Sequence, residues 1–376
     1  MNWLAAAAGI IASIRGHSEG RGGLSPEHVA TALYRGILDR EPDLAGLAQK
    51  ADSLRSGEVL ERVIRSLIGS PEFHSRFLQS LLPSVSLPNL IAMMPDRYDV
   101  QQKNGGPVPV YLARHDADMT LMASLIEKHR FYDRFGVWSP VIDLDKQVTA
   151  AIVRGLGSRS CFELGCFTGP VMSLLAEAGI SVCGTEVSHL AFVFAYPNVR
   201  DAMIFGDLLA VEVGRTFDAV LCMDVLEHLN PSRLDDYIQR LLSLLDADGY
   251  VYVNSPMWGE DRIFGSFEDP YLAEWHAVGD DCYWRHWPCD GDGWPAHGHL
   301  VWASPGWWER KFAEHGLVRD EVVEASIHRV LGALFNQTPG RRCLFVLHRP
   351  NSGRSSAVVA AEIEAELLKV PELPTP

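Results

Sequence analysis

Apolar positions recur at helical spacing from Leu24 to about Phe77, as in HVATALYRGIL and VLERVIRSLI, and turn signals such as EPD and GSPEF follow. The pattern predicts a domain over residues 24–80 made of three or four short helices around one small core. Residues 81–112 (LLPSVSLPNL, KNGGPVPVY) carry prolines and glycines dense enough to interrupt regular elements, so a linker is expected there. A polar helical stretch, DADMTLMASLIEKHRFYDRFG, leads into a second domain over residues 113–350.

From Ser160 the period shortens. Apolar strands SCFEL, SVCGTE, AMIFGD, DAVLCMD and YVYVN alternate with helical runs VMSLLAEAG, LAFVFAY and Ser232 to Leu245. Such alternation predicts an α/β fold, a Rossmann-like doubly wound sheet covered on both faces, preceded by the small all-α domain. WWERKFAEHGL reads as a helix, VRDEVVEAS and CLFVLHR as strands, and residues 351–376 as a terminal helix followed by a disordered tail, PELPTP.

Composition narrows the function classes. A hydrophobic share of 47% with 22% charged residues fits a soluble globular chain, and a net charge of −15 disfavours a general role on nucleic-acid backbones. The seven cysteines (161, 166, 183, 222, 282, 289, 343) are odd in number and mostly sit in apolar runs, so reduced thiols in a cytoplasm are expected. The apolar opening MNWLAAAAGIIASI has no basic residue before Arg15 and is too short to span a bilayer, so no transmembrane segment is expected.

The loop FELGCFTG, residues 162–169, joins the first strand to the helix near Pro170, where ligands of open α/β sheets bind. Glu163 would repel a pyrophosphate but accept a hydrogen bond from an ammonium group, which points to S-adenosylmethionine rather than a dinucleotide. Glu186, ending the second strand, is placed for the ribose hydroxyls, and Asp207, after the third, for the adenine amino group. With TE at 185 and 186, GD at 206 and 207 and MDVLEHL at 223–229, the chain resembles class I S-adenosylmethionine-dependent methyltransferases across residues 145–348. The resemblance implies a cofactor set of Glu163, Gly165, Cys166, Phe167, Thr168, Gly169, Glu186, Val187, Asp207, Leu208, Met223 and Asp224. Phe167 departs from the usual glycine, so either the loop is displaced or the ring packs away from the ligand.

Asp224, Glu227 and His228 form D-x-x-E-H, whose spacing would put all three on one side of a helical turn. His228 and the His297, His299 pair are the candidate bases for a hydroxyl acceptor. The motif is also similar to the metal-holding E-x-x-E-H plus distant histidine of small-RNA 2′-O-methyltransferases and, in related form, of ubiquinone-biosynthesis O-methyltransferases. That likeness implies Asp224, Glu227, His228 and His299 as ligands of a divalent metal. The same motif also occurs without metal, the acid capping a helix and the histidine packing beneath the acceptor pocket.

Eight of the ten tryptophans (258, 275, 284, 287, 294, 302, 307, 308) fall in or just after a long insertion, residues 256–303. Their faces suit a sugar ring, although about half are expected to form the insertion's own core. DGDG at 290–293 lacks the acid of a calcium loop and reads as a turn.

The helical segment resembles a small domain of unknown function found in bacterial polysaccharide-associated proteins. It does so through Leu33-Tyr34, Leu38, Arg40, Pro42-Asp43, Gly46-Leu47, Leu54, Gly57 and Ser70 to Phe73. The likeness implies a docking module, although Gly46 and Gly57 also read as helix ends. The expectation is therefore an O-methyltransferase acting on a saccharide or glycolipid intermediate, with a possible protein partner for the helical domain. A small phenolic or polyketide-like metabolite is the alternative acceptor, and a catalytically silent cofactor-binding scaffold the alternative class.

Overall fold

The computed structural model describes residues 25–38, 40–57, 60–68, 86–103, 106–133, 142–267, 285–350, 354–371 and 373. The opening apolar segment, Ser70 to Phe73 of the helical module, Trp275, Trp284, Cys282 and residues 374–376 of the tail lie outside them. The described residues fall in two compact units.

The first unit holds helices α1 (Pro26–Leu38), α2 (Leu44–Arg55) and α3 (Leu60–Ile68). Asp43 caps α2 by accepting the Gly46 N–H at 2.8 Å. Gly57 follows the end of α2 with φ +84°, the left-handed stop expected of a helix end. Gly46 differs: it lies in the first turn of α2, where a Cβ would come within 2.2 Å of the Tyr34 hydroxyl, so close packing on α1 requires it.

In the second unit, strands β1 (Tyr98–Lys103) and β2 (Gly106–Leu112) precede helices α4 (Asp116–Lys128) and α5 (Leu144–Gly155). Next come β3 (Ser160–Leu164), α6 (Pro170–Glu177), β4 (Ser181–Glu186), β5 (Met203–Phe205), β6 (Phe217–Met223), α7 (Leu234–Leu244) and β7 (Leu245–Asn254). The chain continues through β8 (Gly259–Asp261), β9 (Gly265–Phe267), β10 (His286–Pro288), α8 (Pro305–Glu314), β11 (Val318–Arg319), α9 (Glu321–Gln337), β12 (Leu344–His348) and α10 (Ser356–Leu367).

The main sheet runs β11-β12-β7-β6-β3-β4-β5, with β12 and β11 antiparallel and the other pairings parallel. Alternate strand residues enter opposite cores. Cys161, Ala219, Leu221, Tyr250 and Val346 face α5, α9 and α10, while Phe162, Val220, Val251 and Phe345 face α7 and α8. The doubly wound α/β expectation is met. Because β3 is flanked by β4 on one side and β6 on the other, the switch point lies at its carboxyl end, at the glycine loop.

Two expectations fail. The described part of the 81–112 linker contains β1 and β2, and β2 pairs with β10 to make a three-stranded sheet. Pro109 forgoes a donor where the β10 pairing ends, yet its carbonyl still accepts from the Cys289 N–H at 2.8 Å. The apolar cover comes from far along the chain: Trp287 stacks on Tyr111 with ring centres 5.4 Å apart. In VRDEVVEAS only Val318 and Arg319 are strand. Asp320 caps a helix by accepting the Val323 N–H, and Val323, Ile327, Leu331 and Leu334 bury one face of α9.

The tryptophans are more deeply committed to packing than expected. Trp258, Trp287, Trp294 and Trp302 form a core with Leu90, Val110, Tyr111 and Phe131, Trp308 packs under the main sheet, and Trp307 is partly buried. DGDG is the expected turn, with Asp290 accepting the N–H groups of Asp292 and Trp294.

Helices α5 and α10 touch at Gly155, where a Cβ would meet the Ile363 backbone at 2.4 Å. Gly155→Ala is expected to destabilise the second unit by about 1–3 kcal/mol through overpacking. An unchanged urea midpoint would show that α10 yields freely.

Candidate active site

The carboxyl ends of β3, β4 and β5 place three acids side by side. Glu163 is buried near the end of β3, and its Oε2 makes no hydrogen bond among the described residues. Burial, helped by the charge of Glu186, pushes its carboxyl up to about 8. Glu186 is equally buried but well supplied with donors. Its Oε2 accepts the Phe167 N–H at 2.8 Å, and its Oε1 accepts the N–H groups of Val187 and Ser188 at 2.7 Å each. Asp207 follows β5, accepting the Leu209 N–H at 2.7 Å and the Tyr237 hydroxyl proton.

The loop between β3 and α6 closes through Gly165 and Cys166, whose N–H groups both donate to the Thr185 carbonyl. Gly165 sits at φ +67°, and a Cβ there would lie 2.5 Å from Val225 Cγ2. Phe167 also takes a left-handed conformation, φ +46°, which costs a side-chain-bearing residue about 1–2 kcal/mol. It is half-buried and packs against the small core of Cys166, Met172, Ala191, Ala195, Val199 and Met203. Thr168 and Leu208 are buried, Val187 is exposed, and Met223 ends β6.

The chemistry motif folds differently from expectation. Leu226–His228 form a short 3-10 turn, but Asp224 precedes it at φ +50° and does not share its face. Asp224 Oδ2 instead accepts from Arg341 Nη1 at 2.5 Å, and Arg341 Nε lies 3.1 Å from Asp145. Asp224 and Arg341 border a cavity of about 250 Å³ with Pro256, Thr338, Pro339 and Gly340.

Glu227, His228 and His299 do come together, their ligand atoms all within 4.8 Å of one another. Among the described residues Glu227 Oε1 makes no hydrogen bond, and it stands 3.9 Å from Nε2 of both histidines. The acid is pinned by Ser255, whose hydroxyl donates to Oε2 at 3.0 Å, while its carbonyl accepts the N–H groups of Leu300 and Val301. His228 Nδ1 lies 3.1 Å from the Gly298 carbonyl, an acceptor only, so Nδ1 carries the proton and Nε2 faces the cluster. Burial drives His228 down to about 4 and His299 well below its ordinary value, so both imidazoles are neutral near pH 7. Glu227 is driven upwards by burial and the neighbouring Asp224 charge. His297 is exposed and outside the cluster.

Two neutral imidazoles and one carboxylate oxygen are a sound donor set for a divalent cation. Sequence reasoning missed Tyr132, Asp133 and Arg341. The Tyr132 hydroxyl is 3.3 Å from both His228 Nδ1 and the Gly298 carbonyl, and Asp133 accepts the Ser188 hydroxyl proton at 2.7 Å. Nothing in HRFYDRFG or PGRR marks them, since their partners are remote in sequence.

Sheet order, glycine loop and the three strand-end acids agree with the expected class I S-adenosylmethionine-dependent methyltransferase fold, and residues 142–322, just under half of the chain, match the family described as a methyltransferase domain. A domain of unknown function, DUF4214, matches residues 7–77. Among curated proteins, the chain is similar to the ubiquinone biosynthesis O-methyltransferase of Pseudomonas fluorescens, 26% identical over 137 residues, 34% of this chain and 58% of the relative. The Nitrosomonas europaea enzyme of that name is 25% identical over 138 residues, 34% and 57% of the two chains. The chain thus spans a little over half the length of these relatives.

Among solved structures, a methyltransferase from Streptomyces caelestis aligns at 17% identity and TM-score 0.38, over 58% of this chain and 95% of its own. An amino pentose methyltransferase from Micromonospora echinaspora aligns at 17% and 0.37, over 60% and 96%.

Glu163 generates a pH prediction. Its folded pKa is raised from 4.5 to about 8, so between those values the native state keeps a proton that the unfolded chain releases. Its stabilising contribution is complete below about pH 4.5 and is lost as pH rises through about 8. Glu163→Gln should flatten that part of the ligand-free stability profile between pH 5 and 8. Parallel urea profiles for the two proteins would refute the assignment.

Proposed function

We propose that the protein transfers the methyl group of S-adenosylmethionine to a hydroxyl oxygen. The observation that carries the reading is the buried cluster in which Glu227 Oε1 faces two neutral imidazoles, 3.9 Å from each. Such a cluster suits an oxygen acceptor, which must lose its proton as it attacks the sulfonium methyl.

On this reading Glu163 accepts the cofactor's ammonium group at Oε2, the oxygen that has no donor among the described residues. Glu186 Oε2 keeps a lone pair for a ribose hydroxyl beside the Phe167 N–H, and Asp207 faces the adenine amino group. Cys166, Phe167, Thr168, Gly169, Val187, Leu208, Met223 and Asp224 complete the proposed walls, with Gly165 as the close approach. His228 Nε2 takes the acceptor proton, oriented by the Gly298 carbonyl at its other nitrogen. Where His228 Nε2, which carries the one lone pair of that ring, is instead a ligand and not the base, Glu227, His228 and His299 would hold a divalent cation. When bound, it would lower the acceptor hydroxyl's pKa and fix its oxygen.

The first acceptor class is a saccharide or glycolipid intermediate of bacterial glycan assembly, with residues 24–80 docking the enzyme to a protein partner. It rests on the polysaccharide-associated character of that helical module. The described tryptophans lend it little, since five of the six are core. A small metabolite is the second reading, favoured by the cation-type cluster and by the name of the curated relatives. Among the described residues no helix is long and apolar enough to cross a membrane. A cytoplasmic site of action is part of the proposal.

Calorimetry with S-adenosylhomocysteine is the primary test. Binding at micromolar strength is expected, abolished by Gly165→Arg, and absence of binding in the wild type would end the proposal. Methyl uptake should then appear with sugar acceptors before phenols, and the reverse order would select the second class. His228→Ala should leave cofactor binding intact and slow transfer about 10²–10⁴-fold, the usual weight of a general base. Equal turnover would remove His228 from the chemistry, and full activity after exhaustive EDTA treatment would remove the cation.

A further inference from the structure

D-x-x-E-H offers three ligand types, yet among the described residues only Glu227 and His228 of the motif stand with His299 in the cluster. Asp224 is held elsewhere by two devices. Its backbone takes a left-handed conformation, fixed by its N–H donating to the Asn254 carbonyl at 2.8 Å, and its carboxylate is bonded to Arg341 Nη1 at 2.5 Å.

Arg341 is itself anchored on two further sides. Nη1 also donates to Asn254 Oδ1 at 2.9 Å, and Nε pairs with Asp145 at 3.1 Å. The Asn254 amide donates in turn to the carbonyls of Arg341 and Cys343, at 3.1 and 2.8 Å. Asn254 ends β7 and Asp145 begins α5, so the guanidinium is tied to the scaffold while its carboxylate partner sits on a short connection after β6. The pair borders the 250 Å³ cavity, and both side chains keep about a quarter of their surface exposed, so exchange of partners carries little desolvation cost.

We propose that Arg341 is a positioning residue that withholds the Asp224 carboxylate from the cation site. The site is then a three-ligand face, Glu227, His228 and His299, with one more position open than the full motif would leave. This rests on the cation reading above and adds a determinant, Arg341, that lies outside the residues matched by the methyltransferase family. A guanidinium is a permanent cation, so the hold persists at any working pH.

The test is a double-mutant cycle on the full chain, stripped of metal and free of cofactor, titrated with Co²⁺ by calorimetry and visible absorption. Arg341→Met should tighten Co²⁺ at least about tenfold as Asp224 joins the ligands, within the range that outer-shell partners exert on metal affinity. Asp224→Asn alone should change affinity less than about threefold, and the double variant should return to the wild-type value with the wild-type cobalt spectrum.

If the tightening persists undiminished in the Asp224→Asn background, Arg341 acts only through its charge and the proposal fails. It also fails if Asp224→Asn alone weakens binding tenfold, since Asp224 would already be a ligand. Should Arg341→Met not fold, Arg341→Gln keeps a donor for Asn254 and carries the same cycle. Failure of the underlying reading looks different: Co²⁺ affinity would then be indifferent to Glu227→Gln and His299→Ala.

Discussion

The proposed cofactor cleft depends on the buried carboxylate of Glu186. An ionised acid removed from water costs several kcal/mol unless donors replace the solvent, and here three backbone N–H groups do so. Those bonds also tie the loop after β3 to the end of β4. One of them comes from Phe167, so the bond that stabilises the acid also holds that residue in its left-handed conformation. The missing glycine is tolerated for this reason: hydrogen bonding and half-burial of the ring offset the strain. Burial pushes both carboxyls up, but the three N–H groups work against it at Glu186, whereas Glu163, whose Oε2 has no donor among the described residues, is pushed up to about 8 by burial and the Glu186 charge.

The tryptophan-rich insertion serves the same cleft from the other side. Burial of Trp287, Trp294 and Trp302 against the β1, β2 hairpin and Phe131 fixes the chain on which residues 296–301 lie. That run delivers the Gly298 carbonyl to His228, the His299 ring to the cluster, and the Leu300 and Val301 N–H groups to the Glu227 carbonyl. The aromatic rings that suggested a surface for sugars therefore act as the foundation that positions a histidine. Trp302, 5.0 Å from the His299 ring, is the point where this core reaches the cluster.

What the sequence made legible follows the range of the interactions. Strands β3 to β7 and the acids at their ends could be read because each rests on a local run of apolar residues and on a fixed place after it. Glu227 and His228 were legible for the same reason. His299 was legible as one of a histidine pair offered as candidate bases, and as a ligand only through a family likeness; the structure brings it to the same cluster. The β1, β2 hairpin was not readable, because its cover is Trp287 from the far end of the insertion and its prolines argue locally against a strand. Helix α9 was hidden by consecutive valines, where one capping acid and a period of buried residues decided the outcome. Asp224 was misplaced because helical spacing assumes a helix, and its partner, Arg341, arrives from beyond the sheet's last parallel strand.

The distribution of charge in the cleft has a direction. Glu163, Glu186 and Glu227 are all buried, Asp145 and Asp224 share one arginine, and Lys146 already pairs with Asp143 and Asp145. Without a ligand, the first three relieve the excess of acid by holding protons more tightly than in water. A ligand bearing both an ammonium and a sulfonium offers another route, because two positive centres offset its own carboxylate and still leave one charge to set against the acids. Loss of the methyl group removes the sulfonium charge and with it that net attraction. On the proposed reading, these acids would therefore favour a net-positive donor over its neutral product.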